Sequence, residues 1–232
     1  MRIGCIILAR YNSSRLPGKA LIMFDDKPLL RHVYDALDSV FTSDNIVVAT
    51  SNESSDDTIA DYCQREQINY YRGSLQNVAD RFISAAQENS FDYAMRINGD
   101  NLFVELTTVR KMILDAQKSQ DFYSNVPGRT FPFGMSVEMV KTSFYEQVLK
   151  AINESANYQE HVTLYLYDHS KMGNRKYYVN DEYPEASGVH LSIDTPQDSK
   201  IAQRMLKRLS KPIYENELST IVKTYHLCQH HE

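Results

Sequence analysis

"IGCIILARYNSSRLPGK", residues 3 to 19, decides the fold. Its first six residues are of strand length, apolar apart from Gly4, and lack the alternation of a half-exposed strand. They predict a β-strand buried on both faces, the environment of a parallel sheet. The next eleven residues change character: Arg10, Arg15 and Lys19 carry positive charge with no acid among them, Ser13 and Ser14 offer hydroxyls, and Pro17-Gly18 sets a turn. In open parallel α/β sheets, ligands bind at the carboxyl ends of strands, where this loop begins. Arginine forks fit phosphate oxygens, lysine supplies a point charge, and Gly18 permits close backbone approach. The stretch reads as a triphosphate cradle, with a solvated cationic surface loop as the plain alternative. The G-x-x-x-x-G-K-[ST] spacing of the Walker loop is absent.

Outward from this stretch, apolar runs alternate with amphipathic segments. Strands are predicted at "IGCIILA", "NIVVAT", "INYYRG" and "DYAMRIN". Helices are predicted at "PLLRHVYDALDSV", after the turn at Asp25-Asp26, and at "SDDTIADYCQREQ", "NVADRFISAAQEN" and "VELTTVRKMILDAQK". This order over residues 1–118 predicts an α/β fold, a mainly parallel sheet covered by helices on both faces. The second half is less regular. It predicts strands at "SVEMV", "RKYYVN" and "VHLSID", and helices at "TSFYEQVLKAIN", "QEHVTLYLYDH", "TPQDSKIAQRMLKRL" and "NELSTIVKTYHLC". The terminal "QHHE" reads as a frayed tail. With no evident linker, residues 1–232 are expected to form a single domain. Residues 1–118 would be a nucleotide-binding half, and 119–232 an acceptor half with a small lobe.

Composition narrows the function. The 232 residues are 42% hydrophobic and 24% charged, with a formal net charge of −5. That balance argues against nonspecific nucleic-acid binding. Residues 1 to 24 nevertheless carry four cations and no acid, so a local positive site stands on a body more acidic than the total. No run approaches the length of a membrane span, and the opening residues lack the flanks of a secretory leader. Cys5, Cys63 and Cys228 are odd in number and widely spaced, the pattern of reduced thiols in a cytoplasmic protein.

Two further residues could serve a phosphate site. Asp100 ends the "DYAMRIN" strand in "NGDN", and Asp194 follows "HLSI". Magnesium is bound by one or two carboxylates together with substrate phosphates. The plain readings are a turn aspartate for Asp100 and a helix cap for Asp194. Arg96 lies within a strand, where an unpaired charge is costly, so it either pairs structurally or meets a ligand.

"ARYNSSRLPGKAL" resembles the A-R-x-x-S-x-R-L-P-G-K signature of the sugar-activating cytidylyltransferases, which make CMP-KDO and CMP-sialic acids. "RGSLQNVADRF" (72–82), "RINGDN" (96–101), "EHVTLY" (160–165) and "LSIDTPQD" (191–198) resemble blocks of its spore-coat-polysaccharide-biosynthesis-protein-F-like group. The matches keep the family's order across roughly residues 3 to 210. The resemblance implies a three-layer α/β/α fold of the nucleotide-diphospho-sugar-transferase type, CTP as donor and Mg²⁺ as cofactor. It places Arg10, Ser14, Arg15 and Lys19 at the triphosphate and the backbone of Leu8 and Ala9 at the base. Arg72, Asn77 and Arg81 face the nucleotide, with capping of the following helix as the alternative for Asn77. Asp100 and Asp194 hold the metal, and Arg10, Lys19 and Asp100 are the catalytic residues. Arg96, Glu138, Glu160 and His161 shape the acceptor pocket. The implied reaction passes CMP to an acidic, nonulosonic-type sugar for surface polysaccharide, in a cytoplasmic homodimer; the Tyr-rich segments "LYLYDH" and "KYYVNDEY" fit a dimer interface or internal packing equally. The sequence departs from the KDO enzymes, which carry a histidine-serine-glycine stretch at "RGSLQNVADRF", and from relatives with proline where "GDNLF" has Leu102. A glycosyltransferase of similar fold or a non-catalytic nucleotide binder remains the alternative class; the first would be expected to carry D-x-D, which "NGDN" is not.

Overall fold

A computed structural model describes residues 1–229; the expected frayed tail lies, beyond Gln229, outside the described residues. In chain order the elements are β1 (Ile3–Leu8), the short hairpin β2 (Met23–Phe24) and β3 (Lys27–Pro28), α1 (Leu29–Asp38), β4 (Ile46–Ser51), α2 (Asp57–Arg65) and β5 (Tyr70–Gly73). Then come α3 (Val78–Glu88), β6 (Tyr93–Asn98), α4 (Leu106–Asp115), β7 (Phe122–Ser124), β8 (Glu138–Lys141) and α5 (Thr142–Ile152). The chain closes with α6 (Ala156–Glu160), α7 (Leu164–Asp168), β9 (Arg175–Tyr177), α8 (Pro196–Leu206) and α9 (Leu218–Gln229). The main sheet runs β5-β4-β1-β6-β8-β7-β9. It is parallel from β5 to β6, turns antiparallel at β8 and β7, and ends with β9 parallel to β7.

The unalternating apolar run of β1 is explained by its neighbours. Successive strand residues point to opposite faces, and both faces are covered. Cys5 and Ile7 pack with Leu30, Val33 and Ile59 of α1 and α2 on one side. Ile6 packs with Phe82 of α3 and Tyr145 of α5 on the other. The expected mainly parallel α/β layers are therefore present. A third apolar cluster joins Phe24 and Leu29 to Leu102, Leu191 and Ile193 and to α8 and α9. Leu102 is one of its buried members.

Three second-half expectations differ. "QEHVTLYLYDH" forms two short helices, because the chain leaves helical geometry at His161 (φ −102°, ψ 80°). "VHLSID" forms no strand; a parallel bridge pairs His190 with Phe133, and the Ile193 N–H donates to the Asp100 carbonyl at 3.2 Å. "RKYYVN" is paired only over Arg175–Tyr177. Among the described residues no helix is long and apolar enough to cross a membrane. Cys5, Cys63 and Cys228 are free and buried, and burial pushes the Cys63 thiol up to about 12.

The register fixes the site. Leu8 of β1 pairs with Asn98 of β6, so the loops leaving both strands emerge side by side. Gly99 donates its N–H to the Leu8 carbonyl at 2.8 Å. A Cβ at Gly99 would stand 3.0 Å from that oxygen and 3.1 Å from the Ala9 Cβ, which is why glycine precedes Asp100. Gly134 brings the loop before β8 against the segment leading to Asp194, at φ +90°. A Cβ there would lie 2.4 Å from the Ser192 nitrogen. Gly134→Ala should therefore lower unfolding free energy by about 2 kcal/mol or more, because left-handed strain adds to a backbone clash. Urea denaturation of the variant against the parent measures it.

Candidate active site

A cleft of about 240 Å³ opens at the carboxyl ends of β1 and β6. Its floor is Leu8, Ala9, Asn98 and Gly99, and one wall is the cationic loop with Arg10, Ser13, Ser14, Arg15 and Lys19. The loop is closed at its neck: the Tyr11 carbonyl accepts from the Gly18 N–H at 2.7 Å and from the Ser13 N–H at 2.9 Å. Gly18 sits at φ +72°, the left-handed region glycine favours, immediately before Lys19 begins a short 3-10 turn.

Each loop cation meets an acid from elsewhere in the chain. The Lys19 ammonium donates to Asp100 Oδ2 at 2.5 Å and to Asp194 Oδ1 at 3.0 Å. Arg15 pairs with the same Asp194 oxygen at 2.9 Å, and Arg10 pairs with Glu160 at 2.9 Å. Asp194 Oδ2 accepts from the Ser192 hydroxyl at 2.9 Å. Burial would push the Asp194 carboxyl up, but Lys19, Ser192 and Arg15 outweigh it and hold it below the ordinary range. Asp198 is turned away: it caps α8, accepting from the Thr195 N–H in a reciprocal capping box.

The opposite wall carries two further cations. Arg81 is 2% exposed; Nη1 donates to the Ser74 carbonyl at 2.6 Å, while Nε has no partner. Burial lowers its pKa, an effect Asp56 partly offsets. Arg96 also lines the cleft, with its Nε unpartnered. Glu160 and His161, where α6 ends, close the far side.

The cytidylyltransferase family's sequence model matches residues 4–229. The chain belongs to the cytidylyltransferase family. It is 29% identical over 226 residues to the Bacillus subtilis spore coat polysaccharide biosynthesis protein SpsF, covering 94% of this chain and 92% of that protein. The solved structure of a cytidylyltransferase from Leptospira borgpetersenii superimposes with TM-score 0.88 at 26% identity, covering 98% of this chain and 94% of that one. A CMP:2-keto-3-deoxy-manno-octonic acid synthetase solved with CTP shares the fold, with TM-score 0.63 at 16% identity over 90% of this chain and all of that one.

Against this family frame, the residues singled out in the sequence divide. Leu8, Ala9, Arg10, Ser14, Arg15, Lys19, Arg81, Arg96, Asp100, Glu160, His161 and Asp194 come together around the cleft. Arg72, Asn77 and Glu138 are not among its lining residues. Arg72 donates to the carbonyls of Ser51 and Glu53 and pairs with Asp57, bracing the turn after β4. Asn77 caps α3, accepting from the Asp80 N–H at 2.9 Å, and donates to Asn153. Glu138 stands behind Arg96, its cross-strand partner in the β6–β8 register. Its other oxygen accepts from the Thr163 hydroxyl at 2.7 Å and the Tyr167 hydroxyl at 2.5 Å. The sequence analysis missed Ser192, Thr163 and Tyr167, whose roles depend on contacts no local pattern encodes. Asp56 stands there only as a residue of the predicted helix "SDDTIADYCQREQ".

The donor set suits a divalent cation completed by phosphate. Two carboxylates converge on one positive group, and among the described residues no cluster of three or more acidic, histidine or cysteine ligands exists. These residues do not build a closed all-protein cage; Asp100 and Asp194 could hold such an ion only in an open site completed by other ligands.

Because the folded-state carboxyl of Asp194 is depressed, its contribution to stability is present above the unfolded pKa of about 3.9 and is lost as pH falls through the folded value. Lys19→Met removes the main depressing partner, so burial should raise this carboxyl toward or above its unfolded value; the variant should then lose most stability near neutral pH, and its deficit against the parent should narrow as pH falls. Urea midpoints measured between pH 3 and 7 read the narrowing.

Proposed function

We propose that this cytidylyltransferase passes CMP from CTP to a hydroxyl of an acidic sugar, with release of pyrophosphate. The observation that carries the reading is the convergence of Arg10, Arg15 and Lys19 with Asp100 and Asp194 at the carboxyl ends of β1 and β6. Five cationic side chains line the cleft (Arg10, Arg15, Lys19, Arg81 and Arg96) against three carboxylates (Asp100, Glu160 and Asp194). That positive excess, on a chain of net charge −5, matches a strongly anionic ligand.

The chemistry is mainly positioning and charge stabilisation. Leu8 and Ala9, at the end of β1, meet the base through their backbone. Arg10, Arg15 and Lys19 exchange their present carboxylate partners for phosphate oxygens and neutralise the departing pyrophosphate. Bound by Asp100 and Asp194, Mg²⁺ would supply charge at the α-phosphate and lower the pKa of the attacking hydroxyl. Arg96, held by Glu138, and Arg81 offer guanidinium groups from the wall opposite the loop, which suits an acceptor bearing a carboxylate. Residues 119–232 supply Glu160, His161 and Asp194, the acceptor half of the proposed single domain. Surface-polysaccharide assembly as the destination is supported by likeness to the B. subtilis spore coat protein. Pairing of two copies belongs to the same reading, since Tyr177 and Val179 are exposed at and just beyond the edge strand β9. A dimer mass in sedimentation equilibrium supports that part, and a monomer mass overturns it.

Thermal unfolding with CTP, UTP, ATP and GTP, each with and without Mg²⁺, tests the nucleotide. A ligand at a hundred times its Kd adds about 2.7 kcal/mol to stability. Selective, Mg²⁺-enhanced stabilisation by CTP is expected, followed by pyrophosphate release in a screen of acidic sugars. Asp100→Asn and Asp194→Asn should each lower that release at least a hundredfold. Stabilisation by nucleotide sugars and by no triphosphate overturns the reading in favour of a glycosyltransferase.

A further inference from the structure

Asp56 is a fully buried carboxylate at the turn between β4 and α2. Its place in the sequence is that of a helix N-cap, yet its side chain makes no capping bond to α2. Both oxygens turn the other way. Oδ1 accepts from the Tyr11 N–H at 2.6 Å, and Oδ2 accepts from the Ser51 N–H at 2.9 Å. A buried charge must be satisfied by donors, and here backbone N–H groups do so.

What Asp56 grips is the neck of the cationic loop. Tyr11 directly follows Arg10, and its carbonyl accepts from Ser13 and Gly18, so one residue receives both the outgoing and the returning strand of the loop. Asp56 ties that residue to the last residue of β4. Among the acids it also does most to offset the lowering of the Arg81 pKa by burial. By its hydrogen bonds one side chain joins β4 to the phosphate loop, without itself lining the cleft.

We propose that Asp56 is a positioning residue for nucleotide binding, acting through the Tyr11 backbone to fix the direction of Arg10 and the neck of the loop. The proposal rests on the nucleotide reading given above. It differs from a purely structural role in being local: loss of the tie loosens residues 9–19 and leaves the apolar clusters intact.

The test compares the full-length parent with Asp56→Asn by calorimetric titration with CTP and Mg²⁺ and by hydrogen exchange of peptides covering residues 9–19. Asparagine retains the shape but presents an amide N–H₂ to one of the two N–H donors. Losing a charged hydrogen bond of this kind is expected to weaken CTP binding about tenfold. Exchange should accelerate in the 9–19 peptides while α1, α8 and α9 keep parental rates. Ser51→Ala, which removes a hydroxyl that also favours the ionised Asp56, should give the same pattern at smaller size, and it carries the test should Asp56→Asn fail to fold. Affinity within twofold of the parent overturns the proposal. So does weakened affinity with unchanged loop exchange, or exchange that rises across the whole chain. If the parent itself does not bind CTP, the nucleotide reading falls and takes this one with it; equal binding by parent and variant removes this one alone.

Discussion

The site depends on one ammonium group placed between two carboxylates. Lys19, Asp100 and Asp194 come from the loop after β1, the end of β6 and the segment before α8, and all three are largely shielded from water. Two carboxylates this close repel each other, and their burial costs free energy unless a cation intervenes. Lys19 turns that repulsion into a three-way joint. The apolar cluster of Phe24, Leu102, Leu191 and Ile193 supplies the burial that carries the C-terminal segment to the sheet edge. The ion trio decides where that segment stops. Leu102, after "NGD", is a packing member of this cluster rather than a cleft residue.

Legibility in the sequence follows how local the cause is. β1 and β4 were readable because burial on both faces leaves a mostly apolar run without alternation, β6 because its run is interrupted only by Arg96 before Asn98, and α1 because its apolar stripe has helical spacing. The cation loop was readable because its charges lie within eleven consecutive residues. Asp100 was readable from its position at a strand end. Asp194 was found for a reason that only partly holds: no strand precedes it, and the side chain is delivered by packing and by Lys19. The antiparallel turn of the sheet at β8 was not legible, because "SVEMV" fits either direction and long-range pairing alone decides.

That turn explains the residues whose expected and observed places differ. Running β8 antiparallel to β6 sets Glu138 opposite Arg96 in register, so the acid satisfies the strand arginine and cannot itself face the cleft. Thr163 and Tyr167, reached after the break at His161, saturate its second oxygen. The two readings left open for Arg96, ion-pair partner or cleft residue, are therefore compatible: one edge of the guanidinium is held from behind while the side chain still lines the cleft. Arg72 shows the converse. From sequence it stands in the same block as Arg81, but Arg72 belongs to β5 and braces the turn after β4, whereas Arg81 belongs to α3 and lines the wall.

All three loop cations are paired with acids: Arg10 with Glu160, Arg15 with Asp194, and Lys19 with Asp100 and Asp194. A triphosphate entering the cleft competes for these cations, and each one it takes releases a carboxylate beside new negative charge. The excess of two cationic groups among the lining residues is too small to balance both. A divalent cation entering alone meets the opposite obstacle, because Lys19 already sits between the two carboxylates that would bind it. On the proposed reading, each ligand would remove what opposes the other: phosphate would draw Lys19 away from the aspartates, and the metal would neutralise the aspartates Lys19 leaves. Reciprocity of linked binding would then require nucleotide and metal to strengthen each other by the same factor. The source of that coupling is the pairing of Lys19 with both aspartates.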